Sequence, residues 1–451
     1  MHKREEVEFR RLVALAIEHQ NSGRLPEAEA VYLDALQIFP HHTAILHNLG
    51  VLSATRGDFI TAVARFDASL KAEPRYASAH YNRAAAMQSL GRHDEAIRGY
   101  SHAVAIEPEH YASHRALSFL LLSEGHRGRA LDHFARTYEL RRGDDRSGMA
   151  AKSLNTATKT KLVHDAELFR HLAGRSRDGR HFELMARNYE AVAREIPDGV
   201  TSLSDADLET LGEHYNTAIH IASAPEIKHG AVRKRRDVSE ITDRFGAGSV
   251  GAVQVDDLLT PPALSALKRY LFESTIWHDF SHIGGFVASY LEDGLACPLV
   301  LQIADEVRST FPDLLSDHPL TQAWAFKGVI ATSAVDIHAD DAAISLNFWV
   351  TPTEANLNPG HGGLAICWVP PPPTWVIEGY DADQERIVLF LERNAASTMV
   401  VEYAENRGVL FDSRLFHYSD KPEFAAGYEN HRINLTLLFG RAPSRIAKDS
   451  V

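Results

Sequence analysis

The sequence predicts a multidomain chain of α and α+β class. An α-helical repeat array comes first, then a helical middle segment, then a β-sandwich or barrel with supporting helices. Three observations carry this. Four residue series recur every 34 positions through the first third. Apolar residues then keep helical spacing across the middle. From about Ser249 the pattern becomes short apolar or alternating runs, broken by Gly, Pro, Asn and Asp.

The repeat is explicit. Gly23, Gly57, Gly91 and Gly125 share the period, as do Ala28, Ala62, Ala96 and Ala130. Tyr32, Phe66, Tyr100 and Phe134 follow it too. Pro40, Pro74 and Pro108 close three copies, and Arg142 stands in the fourth place. Each unit reads as helix–turn–helix. Glycine ends one helix, a small alanine lets the next approach, and an aromatic four residues on fills the groove on the same face. Proline stops the unit because it cannot continue a helix. The copies span 9–42, 43–76, 77–110 and 111–144, so the array occupies 1–144. The pattern resembles the tetratricopeptide repeat, with Leu49-Gly50, Ala62, Phe66 and Pro74 at its signature positions. The resemblance implies a superhelix whose concave groove takes a peptide or protein. The alternative is a scaffold or a homodimer surface. Asn48, Asn82, His80 and His114 are the polar candidates for that groove.

Composition excludes other classes. The 451 residues carry a formal net charge of −13, against the basic face a non-specific nucleic-acid binder needs. No 18-residue apolar run predicts a membrane span. The opening "MHKREEVEFRRL" lacks the apolar run of a signal peptide. Two cysteines, Cys297 and Cys367, build neither a disulfide framework nor a Cys-rich zinc site, which fits a reducing cytoplasm. No Gly-rich Walker-type loop points to phosphate transfer.

Residues 145–245 form the middle region. "RRGDDRSGMAAKSLNTATKTK" (141–161) reads as a linker or frayed cap. "LVHDAELFRHLAGR" and "HFELMARNYEAVAREIP" are helical, and Ser204 with Asp207 three residues on signals a helix start. These helices cap the array or brace the next domain. The basic run "VRKRRDV" (232–238) reads as a solvated loop.

Residues 246–445 hold the β-rich domain. In "AISLNFWV", Ile344, Leu346, Phe348 and Val350 share one face, and Ser345, Asn347 and Trp349 the other. "PPPP" (370–373) belongs to a loop or edge. His338 and Asp340 are two positions apart, on one face if a strand runs through both. A ferrous site open to substrate uses two histidines and one carboxylate on one side of the metal. His417, at the end of "GVLFDSRLFHYSD", is the second histidine, and Arg432 opens the next strand where a guanidinium can fork onto a carboxylate. The bland alternative is a turn-capping Asp340 beside a core histidine. His278 and His282 on one helix face would be another metal pair, but no carboxylate pattern follows. His361 reads as a loop residue, and His431 points away from Arg432.

These residues resemble the iron(II)- and 2-oxoglutarate-dependent oxygenases. The matching pieces are "HAD" (338–340), "GGLAI" (362–366), "LFHYSD" (415–420) and "RINLTLLF" (432–439), over about residues 249–441. "VDDLLTPPALSALKRYL" is similar to the opening of the prolyl-hydroxylase-like branch. The whole chain resembles a bacterial group that joins tetratricopeptide repeats to such a domain. The resemblance implies a double-stranded β-helix, or jelly-roll barrel. It implies Fe(II) on His338, Asp340 and His417, with Arg432 on the distal carboxylate of 2-oxoglutarate. O2 is the oxidant, and a peptide, protein or carrier-bound substrate is hydroxylated. Trp324, Asn347, Trp349 and Tyr418 are the candidate pocket residues. The inserts "TPTEANLNPGH" and 370–396 exceed a minimal barrel and read as lids. The rivals are an adaptor with a degenerate barrel and a cupin-like metal enzyme that ignores 2-oxoglutarate, from which Arg432 discriminates.

Overall fold

The computed structural model describes residues 2–143, 155–246, 251–281, 285–372, 375 and 383–441. His282, most of the predicted linker and the core of the second insert lie outside them. Two compact units divide the chain, Met1–Leu121 and Leu122–Val451.

The first unit is a run of paired helices. They are α1 (His2–Asn21), α2 (Leu25–Ile38), α3 (Thr43–Thr55), α4 (Phe59–Ala72), α5 (Ala77–Ser89) and α6 (His93–Ile106); α7 (Tyr111–Ser123) runs across the division. Gly23, Gly57 and Gly91 turn the chain within each pair at φ between +71° and +79°, where a Cβ would be strained. Ala28, Ala62 and Ala96 are fully buried, and so are Tyr32 and Phe66. A Cβ on Gly50 would lie 2.6 Å from the Phe66 ring, so the glycine sets how closely α3 and α4 pack. The predicted groove histidines have structural bonds. His80 Nε2 donates to the Pro74 carbonyl at 3.0 Å, and His114 Nε2 to Pro108 at 3.1 Å. Each histidine ties its helix to the proline that closed the previous copy. Asn48 Nδ2 donates to the Tyr32 hydroxyl at 3.1 Å, and Asn82 Nδ2 to His47 Nε2 at 2.8 Å.

The second unit opens with α8 (Arg127–Arg142). Arg142, which replaces the fourth proline, forks onto Asp293 with two 2.8 Å bonds, both side chains buried. A two-stranded ribbon, β1 (Thr156–Ala157) with β2 (Thr201–Ser202), flanks α9 (Lys159–Ala173) and α10 (Gly179–Glu195). Helix α11 (Asp205–Leu211) starts on the full Ser204–Asp207 capping box. Then come α12 (Val238–Gly246), β3 (Ala252–Val255), α13 (Pro261–Glu273), β4 (Phe286–Tyr290), α14 (Pro298–Thr310) and the short α15 (Pro312–Leu315). Helix α9 packs on β4 and α13, so the middle helices brace the sheet.

The remaining elements are β5 (Leu320–Gly328), β6 (Ile344–Trp349), β7 (Leu364–Cys367), α16 (Gln384–Arg393), β8 (Thr398–Val401), β9 (Gly408–Asp412), β10 (His417–Ser419) and β11 (Ile433–Phe439). They make two antiparallel sheets, ordered β3-β9-β6-β11-β5-β4 and β10-β7-β8. Trp349, Val409 and Phe411 from the larger pack with Leu364, Ile366 and Val401 from the smaller. The sheets face each other across this core and stay open, so this is a mixed region of helices and antiparallel sheet and not a hydrogen-bonded closed barrel. Two expectations change here. His338 is not in a strand, because β5 ends at Gly328 and 329–343 is irregular. His278 lies in coil, not on a helix.

Among the described residues no helix is long and apolar enough to cross a membrane.

Candidate metal centre

His417 begins β10, opposite Ile366 of β7. On its other side His338 forms a one-residue antiparallel bridge to it. Asp340 is fixed by its own amide, which donates to the Ser413 carbonyl at 2.9 Å. Backbone bonds thus bring together two side chains from one irregular segment and one from the start of a short strand. Their ligand atoms all lie within 4.8 Å of one another.

The ring orientations are fixed by one device used twice. His338 Nδ1 donates to the Asp336 carbonyl at 2.8 Å, and His417 Nδ1 to that of Leu415 at 2.9 Å. Each proton held on Nδ1 leaves Nε2 with a free lone pair. Those lone pairs face Asp340: His338 Nε2 is 3.8 Å from Oδ1, and His417 Nε2 is 3.6 Å from Oδ2. These gaps exceed a hydrogen bond and leave the three groups open to a shared cation. Ser345 Oγ donates to Asp340 Oδ2 at 2.6 Å and contacts Ser413 Oγ at 2.9 Å, which steadies the carboxylate. Burial, reinforced by the neighbouring His338, pushes the His417 pKa down to about 4. The ring is neutral at physiological pH, as a metal ligand must be.

Arg432 sits just before β11, buried to 7% exposure. Its Nε donates to Gly362 O at 2.9 Å, one Nη to Gly363 O at 3.2 Å and the other to Asn434 Oδ1 at 3.2 Å. The Trp349 ring centroid is 5.9 Å from its Cζ. Among the described residues no carboxylate pairs with it. Burial pushes its pKa down to about 10, so it is still charged at neutral pH. A buried, unpaired cation is costly unless an anion joins it. The glycines beside it are there for space, since a Cβ on Gly363 would lie 1.9 Å from the Val401 carbonyl.

His338, Asp340, His417 and Arg432 line one narrow cleft with Trp324, Asn347 and Tyr418. Trp349 does not line it; it is wholly buried in the core between the sheets. Asn434 and Thr436 line the cleft and were missed by the sequence reading, although alternation from Arg432 puts both on its face. Ser345 was read only as a face residue. His361 is no ligand: its Nδ1 is 2.8 Å from Asp420 Oδ2. His278 is held by Tyr138 and Asn216. His431 turns away, its Nε2 3.1 Å from Glu167.

No protein-family model matches the chain. Over 121 residues it is 26% identical to Small glutamine-rich tetratricopeptide repeat-containing protein 2 of Saccharomyces cerevisiae, covering 27% of this chain and 34% of the relative. The chain thus spans about a third of that relative's length. Among solved structures, MamA from Desulfovibrio magneticus RS-1 is 25% identical and matches 30% of this chain and 76% of its own, at a TM-score of 0.28. An O-GlcNAc transferase mutant of Thermobaculum terrenum is 28% identical over 30% of this chain and 27% of its own, also at 0.28. The yeast relative and the 34-residue period together make the N-terminal helices a tetratricopeptide-type array.

Proposed function

We propose that the chain is an iron(II)- and 2-oxoglutarate-dependent oxygenase of the hydroxylase type. His338, Asp340 and His417 hold the metal, and Arg432 takes the distal carboxylate of 2-oxoglutarate. On this reading the two facing sheets are the halves of a double-stranded β-helix, and the chain works in a reducing cytoplasm. One observation carries it: two imidazoles with locked Nδ1 protons converge on one carboxylate, in a cleft that also holds a buried guanidinium with no carboxylate partner among the described residues.

Bound iron would supply the coupling of O2 reduction to oxidation of 2-oxoglutarate and of substrate. The chain's residues do the rest. The carbonyls of Asp336 and Leu415 orient the imidazoles, and Ser345 holds the carboxylate. Arg432, fixed by Gly362, Gly363 and Asn434, orients an acid in the cleft. Trp324 and Tyr418 narrow the cleft and limit water.

The repeats recruit a peptide, protein or carrier-bound substrate and raise its local concentration. Deleting residues 1–110 should then raise KM for that substrate while leaving uncoupled 2-oxoglutarate turnover unchanged. Unchanged KM sinks recruitment.

The second reading is a tetratricopeptide adaptor with a catalytically silent C-terminal region, in line with the yeast relative, whose match takes in 27% of this chain. Anaerobic addition of Fe(II) and 2-oxoglutarate decides between them. A metal-to-ligand charge-transfer band, lost in His338→Ala, supports the oxygenase; no band in the wild type supports the adaptor.

A further inference from the structure

A larger groove opens beside the cleft. It has a volume of about 520 Å³ and shares Val335, Tyr418 and Ser419 with the cleft walls. This is ample for a bound ligand segment. One wall is the chain leading into His338, and the other is α16, pinned to it where Gln384 Nε2 donates to the Ile337 carbonyl at 2.9 Å. The lining is mostly apolar, with Ile337, Val388 and Leu391 the largest aliphatic groups.

Two carboxylates interrupt that lining, Asp336 on the first wall and Glu392 on the second, and among the described residues no Lys or Arg lines the groove. Both are exposed. Neither side chain has a hydrogen-bond or ion-pair partner among the described residues. Asp336 is also tied to the metal centre, since its carbonyl holds His338 Nδ1.

We infer that this groove binds a basic residue of a peptide, its aliphatic stem along the apolar walls and its cationic end between Asp336 and Glu392. Long basic side chains pair an apolar stem with a charged tip, and this groove offers a surface for each. An acidic or neutral apolar occupant would leave both carboxylates facing an unmatched ligand. The inference deepens the oxygenase reading and rests on it for what happens to the bound residue.

The test uses full-length, metal-free protein and three fluorescein-labelled peptides, Ala-Ala-Leu-X-Leu-Ala-Ala with X lysine, norleucine or glutamate, read by anisotropy. Lysine should bind about tenfold tighter than norleucine, two exposed ion pairs being worth that much, and glutamate weakest. Asp336→Asn with Glu392→Gln should erase the preference. Asp313→Asn with Asp317→Asn, the same charge change outside the groove, should keep it. Equal affinity for all three peptides, a preference for norleucine, or a lysine preference that survives the groove variant overturns the proposal. Because no metal is present, a missing charge-transfer band with intact lysine selectivity sinks the oxygenase reading alone. The band with no selectivity sinks this one alone.

Discussion

His338 and His417 exchange both backbone hydrogen bonds, at 3.0 and 2.8 Å, and their rings lie 4.2 Å apart. This single antiparallel bridge joins an irregular segment to the end of a three-residue strand. It sets the spacing of the two imidazoles before any metal arrives, so the centre is preorganised by main chain.

Ser345→Ala tests the support of that centre. It removes the donor to Asp340 while leaving all three ligands. Affinity for Co(II), followed by its visible absorption, should fall about ten- to a hundredfold, the usual effect of losing an outer hydrogen bond. An unchanged affinity would mean that Asp340 needs no such support.

Arg432→Met should retain Co(II) binding and weaken 2-oxoglutarate about thirtyfold or more, the usual loss when a buried charge partner is truncated. Calorimetry on the cobalt-loaded protein measures it. Arg432→Lys should not restore affinity, because an ammonium cannot reproduce the planar fork. Undiminished binding in Arg432→Met would favour a metal enzyme that ignores 2-oxoglutarate.

Lys327, on the opposite face of β5 from the cleft, gives a pH test. It is fully buried, its amine has no hydrogen-bond partner among the described residues, and it lies 3.4 Å from the Tyr428 ring centroid, with Phe272 and Trp277 nearby. Burial holds its pKa well below the usual lysine value. The unfolded amine titrates near about 10.4, so between the two pKa values the unfolded chain holds the extra proton. Stability from this site therefore falls by about 1.4 kcal/mol for each pH unit below 10.4 until the folded pKa is reached. Lys327→Met has no such term. It should be the more stable protein near pH 8, with the difference shrinking toward pH 10 in urea titrations. A difference that does not change with pH would mean a charged native lysine.

Gly50→Ala tests the repeat packing. The new methyl meets the Phe66 ring at 2.6 Å. A loss of about 1–3 kcal/mol is expected from overpacking, read by hydrogen exchange in α3 and α4. Unchanged protection there would show that the helices can separate at little cost.

The array was legible because a 34-residue period repeats the same steric problem, and glycine, alanine and an aromatic solve it each time. Short-range alternation also placed β6 and β11. That the two sheets stay open was not legible, because closure depends on hydrogen bonds between segments distant in the chain. The expected strand through His338 failed for a related reason: "AVDIHAD" looks strand-like, but its amides pair with Ser419, Ser413 and His417, one residue at a time. Trp349 was placed on the correct face and at the wrong depth, since alternation gives direction but not what covers a side chain.

The sequence by itself determined the helical repeat, the residue types at the centre and the face from which β6 presents Ser345 and Asn347. These follow from local sterics and period. Only the tertiary structure decided that His417 meets His338 and Asp340, that Arg432 has no carboxylate partner among the described residues, and that Asp336 and Glu392 share a groove. Those relations join residues far apart in the chain, and nothing in local propensity fixes which distant backbone amide finds which carbonyl.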